Sequence, residues 1–153
     1  MLDAKFWRKT GIDVVACYRR HIFDPEGGGK KATDIDGSNY PQYSNKYRLA
    51  KRTGKLKRQA TKFKDSNAPV LTSDLLRAFK SFKSYNSGFG FGAITHKGQV
   101  KNLAKKGRVL YKEGKPLPKQ CEEFLMKEMD DTVKGAFKKL RRKYKRKKIN
   151  III

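Results

Sequence analysis

Residues that could carry out acid–base or metal chemistry are few in this chain and widely separated. His21 and His96 lie far apart, and neither belongs to an HExxH-like spacing. Residues 34–37 (DIDG) resemble the start of a calcium loop, but no acid occurs between Asp36 and Asp65, so the closing glutamate is missing. These patterns predict neither a catalytic nor a metal site, and we expect a protein that is not an enzyme and has no cofactor.

The glycine-rich segment and the paired acids also have structural explanations. Residues 88–92 (GFGFG) differ from the dinucleotide fingerprint because the third glycine comes one residue early. Alternating phenylalanine and glycine is typical of a strand that another backbone approaches closely. The acid pairs at 122–123 and 130–131 fall on the polar side of a lysine-rich helix, where they would screen positive charge.

Two cysteines, Cys17 and Cys121, are too few and too distant in sequence to predict a disulfide framework or a metal cage. Each falls on an apolar helical stripe, where a buried free thiol is the usual occupant. A reducing compartment would suit them. The N-terminus lacks an apolar signal region, and no run of 18 apolar residues occurs, so the sequence predicts neither secretion nor a membrane span.

Charge is the most informative property of the sequence. Thirty-eight Lys and Arg against 14 Asp and Glu give a net charge of +24, and residues 46–64 and 134–148 contain nine and ten basic residues without an acid. Such density is tolerable when a polyanion or an acidic protein neutralises it, although solvated lysine faces are the alternative. The predicted partner or DNA contacts are Lys46, Arg48, Lys51, Arg52, Lys55, Lys57, Arg58, Lys138, Lys139, Arg141, Arg142, Lys143, Lys145, Arg146, Lys147 and Lys148.

The spacing of apolar residues along the sequence predicts the elements that position these side chains. Together they indicate a single α+β domain over residues 1–153. We expect a small antiparallel sheet packed by an N-terminal helix and a long C-terminal helix, with a long extended loop. Helical spacing of apolar residues covers 4 to about 21, with Asp3 as N-cap and Gly11 marking close packing. A hairpin is predicted over about 79–95, a short helix around 100–104 ended by Gly107, and a long helix from about 121 to 144 after Pro116 and Pro118.

Two segments lie outside this predicted core. Residues 24–67 contain only three Ile, Leu or Val residues, so we interpret them as an extended loop that becomes ordered against neighbouring subunits. A short helix is predicted there from 44 to about 51. Residues 134–153 form a basic C-terminal arm, for which a frayed, solvated end is the alternative. The predicted subunit-interface residues are Tyr40, Tyr43, Tyr47, Ile151, Ile152 and Ile153.

Four short motifs, taken in order, resemble those of a known family. Residues 36–44 (DGSNYPQYS), with Tyr47 and Lys51, are similar to the "DxxG, aromatic, Pro, Ser, aromatic, Lys" loop of tailed-phage virion-morphogenesis and tail-completion proteins. Residues 70–76 (VLTSDLL) resemble that family's "LxxTGxL" segment, with Ser73 where glycine is usual. Residues 91–98 (FGAITHKG) resemble "YAxxHxxG", and 116–118 (PLP) resemble its "IPxRPF" motif, with Lys119 and Gln120 replacing Arg-Pro.

This resemblance implies a structural virion protein: a small α+β subunit that forms a homo-oligomeric ring in the neck or tail connector. Its partners would be copies of itself and the portal, connector and tail proteins, with packaged double-stranded DNA as a further contact left open. It would occupy the neck of the virion, after assembly in the host cytoplasm. Whether it is a tail terminator, a head–tail joining protein or another neck ring stays open.

The alternative is a basic nucleic-acid-binding protein without enzymatic activity, ribosomal or chromatin-like. The sequence pI of about 10.2 favours it. Few aromatics for base stacking lie in the basic segments, and zinc-finger and helix-turn-helix signatures are missing.

Overall fold

The computed structural model describes residues 2–56, 63–69, 73–85, 87–112 and 114–149, with the side chains of the last helix described up to residue 143. Within these residues the chain forms five helices and one two-stranded sheet. In chain order they are α1 (Ala4–Phe23), α2 (Asn45–Arg52), α3 (Ser73–Ala78), β1 (Phe79–Tyr85), β2 (Gly88–Ala93), α4 (Lys97–Lys105) and α5 (Lys119–Ile149).

Helix α1 begins at the predicted residue and ends at Phe23, two residues beyond its predicted end. The Phe6 amide donates to Asp3 Oδ1 at 2.8 Å, which satisfies one of the free N–H groups of the first turn. At the other end Asp24 adopts a left-handed conformation (φ 42°), and its N–H donates to the Arg20 carbonyl. The apolar face between these caps, with Val14, Tyr18 and Ile22 fully buried, is the core-facing stripe expected of an amphipathic helix.

Strands β1 and β2 form the predicted antiparallel hairpin, with Phe79 opposite Ala93. The register shifts between Phe82 and Ser84, where Lys83 has a positive φ of 47°, so the hairpin contains one local irregularity. Gly90 lies opposite Phe82, and the Phe82 ring occupies the space that a Cβ at Gly90 would need. The glycine face of β2 therefore accommodates an aromatic ring from the neighbouring strand.

Helix α1 packs against this hairpin, and Gly11 lies at a close contact between them. A Cβ placed on Gly11 would come within 3.0 Å of the Ser81 Cβ and 3.1 Å of the Phe89 ring. About two turns further along α1, the Tyr18 ring packs against Phe79 and Phe91, each with a centroid separation of 4.8 Å. The prediction that Gly11 marks a close helix contact is confirmed.

Several described residues of the segment 24–67 pack in the core of their own chain, so its interpretation as a loop that becomes ordered against neighbouring subunits is wrong for that part. Ile35, Tyr40 and Phe63 are buried in the core. Hydrogen bonds replace the missing aliphatic contacts: the Ile35 N–H donates to the Val109 carbonyl at 3.0 Å, and the Ser66 hydroxyl donates to the Gly29 carbonyl at 2.7 Å. Low aliphatic content is thus compensated by aromatic burial and long-range polar contacts.

Residues 108–118 return from α4 to the core and lead into α5. The Tyr18 hydroxyl donates to the Leu110 carbonyl at 2.6 Å, and Lys112 and Lys115 form ion pairs with Asp36. The Pro118 carbonyl accepts the first amide hydrogen bonds of α5, so the helix starts directly after this proline. The first turns of α5 pack against α1, and the predicted α+β architecture with its N-terminal and C-terminal helices is confirmed.

Replacing Gly11 with leucine should lower the free energy of unfolding by about 1–3 kcal/mol, because the new side chain must displace Ser81 and Phe89 in a packed contact. Urea denaturation monitored by circular dichroism measures the change. Ala16→Leu is the matched control, since Ala16 is exposed on the same helix. An equal, small effect of both substitutions would contradict the close approach of α1 and the hairpin.

Candidate functional site

Helix α5 is anchored at its start and exposed over most of its length. Its 31 residues extend about 46 Å at 1.5 Å per residue. Cys121 is fully buried, and Phe124 and Leu125 pack partly against the core. Beyond Leu125, no described side chain of this helix belongs to that core. The described part of α5 between residues 126 and 143 is therefore a surface available for contact.

An apolar stripe runs along this exposed part of α5. Val133, Phe137 and Leu140 are 38%, 68% and 51% exposed. Steps of four and three residues place these side chains on one face of the helix. These three side chains form an exposed apolar face that does not contact the core of the chain. Such a face is typical of an amphipathic helix that docks on another protein surface.

Cations border the stripe, and acids do not follow it. Lys134 is paired with Asp130 at 2.8 Å, and this hydrogen bond raises the pKa of the lysine. Asp131 is the last acid of the sequence. The predicted contact residues that follow are all exposed: Lys138, Lys139, Arg141, Arg142 and Lys143. Lys145, Arg146, Lys147 and Lys148 continue the helix, although their side chains lie outside the described part, as do Ile151, Ile152 and Ile153.

The first basic segment is only partly a surface patch. Lys46, Arg48, Arg52 and Lys55 are exposed on and after α2, with Arg52 bonded to Asp65 at 3.1 Å. Lys57 and Arg58 lie outside the described residues. Lys51 is 1% exposed and donates to the Ser66 carbonyl at 2.6 Å, so its prediction as a partner contact is wrong. Its ammonium instead links α2 to the segment after Phe63.

Of the three tyrosines predicted at a subunit interface, Tyr40 belongs to the core instead. It is 4% exposed, and its hydroxyl donates to the Ile22 carbonyl at 3.1 Å. Burial raises its pKa well above the ordinary tyrosine value. The ring is therefore too deeply buried to contact another subunit. It lies in the core because an aromatic ring is the main apolar group that this loop, poor in aliphatic residues, can bury.

Tyr43 and Tyr47 are half-buried and lie beside a cleft of about 370 Å³. Their rings are 4.7 Å apart, and the Arg108 guanidinium stacks 3.9 Å from the Tyr43 centroid. Arg108 also donates to the Pro41 carbonyl at 2.6 Å and is 5% exposed. The sequence analysis missed Arg108, and no local pattern identifies it, because its ring and carbonyl partners lie more than sixty positions earlier.

The structure also brings together three residues that the sequence analysis treated as isolated. Cys17 and Cys121 are both buried, and their Sγ atoms are 2.8 Å apart. His21 lies one turn after Cys17, and one ligand atom from each of the three residues lies within 4.8 Å of the other two. Burial, followed by the contact with Cys17, raises the pKa of Cys121, while burial and then Arg20 lower the pKa of His21. The signal in the sequence was the four-residue spacing of Cys17 and His21, which places both side chains on one face of α1.

The described residues otherwise offer little that favours catalysis. His96 is exposed, and its Nδ1 lies 2.9 Å from the Thr95 hydroxyl. The Asp34 Oδ1 atom accepts hydrogen bonds from the backbone amides of Asp36 and Ser38, at 3.0 and 2.8 Å. The carboxylate therefore stabilises a turn. Among the described helices, none has the length and apolar character required to cross a bilayer.

Comparisons with protein-family models, curated proteins and solved structures found no match to this chain. Its function must therefore be argued from its own residues.

Lys51 should make stability depend on pH in the alkaline range. Burial, together with the nearby Arg108, lowers the pKa of Lys51 to about 8, although Asp65 acts in the opposite direction. Since an unfolded lysine titrates near 10.4, charging Lys51 costs folding free energy below pH 8, and the cost fades as pH rises towards 10.4. Relative to Lys51→Met, the wild-type chain should gain about 2 kcal/mol between pH 7 and 9.5.

Urea denaturation at several pH values measures this difference. Lys46→Met is the matched control, because Lys46 is exposed on the same helix. Its stability difference from the wild type should stay constant over the same range. A flat pH dependence for Lys51→Met as well would show that the Lys51 ammonium is solvated in the folded chain.

Proposed function

We propose that this chain is a structural protein of a tailed-phage virion, which forms a ring in the neck or tail connector and carries out no chemical step. The observation that carries the proposal is the exposed part of α5 from Val133 to Lys143, with its apolar stripe bordered by cations. The choice of a phage neck or tail connector rests on the order of four sequence motifs, in residues 36–47, 70–76, 91–98 and 116–118.

The stripe supplies the binding energy in this proposal. Full burial of an exposed valine, leucine or phenylalanine side chain is worth about 1.5–3 kcal/mol, and each of these partly exposed side chains would contribute a fraction of that. Phe137 would be the main contact, because it is the largest and most exposed of the three. A ring needs two different complementary surfaces on each subunit, and α5 would be one of them.

Charge sets a second requirement for such a ring. Subunits that each have a net charge of +24 repel one another, so close association requires neutralisation or screening. The exposed cations from Lys138 to Lys143 lie next to the stripe, where an acidic partner protein or DNA in a central channel could neutralise them while the apolar face contacts protein.

A basic nucleic-acid-binding protein is the second candidate, and the acid-free course of α5 after Asp131 favours it. In that case the helix would follow phosphates and the apolar stripe would be incidental. The two candidates differ in their response to salt. Phosphate binding weakens steeply as salt increases, whereas association of like-charged subunits strengthens because repulsion is screened.

Phe137→Ser combined with Leu140→Ser should abolish self-association without affecting stability. We expect light scattering to detect oligomers of the wild-type chain, increasingly so between about 0.05 and 0.5 M salt, and monomers of the double variant. Unfolding free energies should agree within about 0.5 kcal/mol, because both side chains are exposed.

Leu49→Ser is the control for this experiment, since Leu49 is 64% exposed on α2. It should associate like the wild type. A wild-type chain that stays monomeric at every salt concentration, and that is not detected by mass spectrometry in purified particles of a phage carrying its gene, would refute the ring.

Replacing Lys138, Lys139, Arg141 and Arg142 with glutamine tests the second candidate. If α5 binds DNA phosphates, duplex affinity should fall and the slope of log K against log salt should become shallower by about 3 to 4. The control variant replaces four exposed cations elsewhere: Lys5, Arg8, Lys30 and Lys31. Equal losses in both variants would indicate non-specific attraction to a basic protein.

A further inference from the structure

The two cysteines of the sequence meet in the core although 104 positions separate them. Cys17 lies on the buried face of α1 and Cys121 in the first turn of α5, where it is fully buried. Their Sγ atoms are 2.8 Å apart, closer than nonbonded sulfur atoms normally lie. Two buried free thiols this close together are positioned either to oxidise to a disulfide or to bind one cation between them.

His21 supplies a third ligand group beside the two sulfurs, and this third group favours a metal site over a disulfide. Cys17 and His21 are four residues apart on α1, so their side chains project from the same face. A nitrogen of His21 lies within 4.8 Å of both sulfurs. Two sulfurs and one imidazole are the ligand types that zinc prefers, and the three come from two separate helices.

We propose that Cys17, His21 and Cys121 form a zinc site that joins the start of α5 to the last turns of α1. Two cysteines and one histidine leave the fourth tetrahedral position for water. The half-buried His21 lies on the more accessible side of the cluster, whereas both sulfurs are buried. This inference is independent of the proposed ring, since a zinc site here would stabilise the subunit whatever its partner.

Zinc binding requires a small, defined change in geometry. Two thiolates at about 2.3 Å from one tetrahedral zinc lie about 3.8 Å apart, so the present 2.8 Å separation must widen by about 1 Å. Rotation about the Cα–Cβ bonds of the two cysteines, or a slight shift of α5 relative to α1, provides this. Both thiols lose their protons to solvent, and the two thiolates neutralise the dication within the core.

The test uses the full chain, reduced and freed of metal, and titrated with Co²⁺ and then Zn²⁺ without oxygen. We expect one Co²⁺ per chain with thiolate-to-metal charge-transfer absorption, which Zn²⁺ then abolishes by displacement. Zinc at about 100-fold above its dissociation constant should raise the melting temperature by about 5–10 °C. The Cys121→Ser variant should lose the charge-transfer absorption or weaken it strongly.

His21→Ala carries the decisive comparison, because a half-buried histidine can be removed with less risk to the fold than a buried cysteine. It should bind the metal at least about tenfold more weakly than the wild type. His96→Ala, which removes the other, exposed histidine, should bind like the wild type. Equal affinity in all three proteins would overturn the site. So would a reduced, folded chain that binds no Co²⁺, and the loss of free thiols on exposure to air would then identify the pair as a disulfide.

Discussion

The packing of Tyr18 is the contact on which the arrangement of the domain depends. Its ring lies between α1 and the hairpin, 4.8 Å from both Phe79 and Phe91, and its hydroxyl donates to the Leu110 carbonyl. One side chain therefore fixes α1 to the sheet and to the segment that leads into α5. A sheet of only two strands is not stable alone and must pack against another element. Helix α1, which contacts both strands, is the main such element.

The chain separates its cations into two environments with different chemistry. Lys51 and Arg108 are buried beside the Tyr43 ring, and each donates to a backbone carbonyl, so they lose water but retain hydrogen bonds and aromatic contacts. Most described cations remain exposed, above all along α5. Residues of the same type are thus divided between buried structural positions and the exposed surface, and composition alone does not reveal which residue lies where.

Local patterns predicted the elements well, because caps and periodicity act over a few residues. Asp3 begins α1, Gly107 follows α4, and the hairpin spans the alternating phenylalanines as expected. The errors concern contacts between distant residues. Tyr40 and Lys51 were assigned to the surface because a polar loop gives no sign of what lies beneath it, and Cys17 and Cys121 appeared unrelated because only the folded chain brings them together.

The meeting of the first and last helices has a consequence for synthesis in the cell. Helix α1 is made before two of its partners in the core, Leu110 and Cys121, which the ribosome adds about a hundred residues later. Until then the apolar face around Val14 and Tyr18 has no complete partner, and the core cannot close one element at a time. Contacts of such high sequence separation slow folding and expose apolar surface to other nascent chains. The net positive charge of the chain would help to keep these incomplete chains apart.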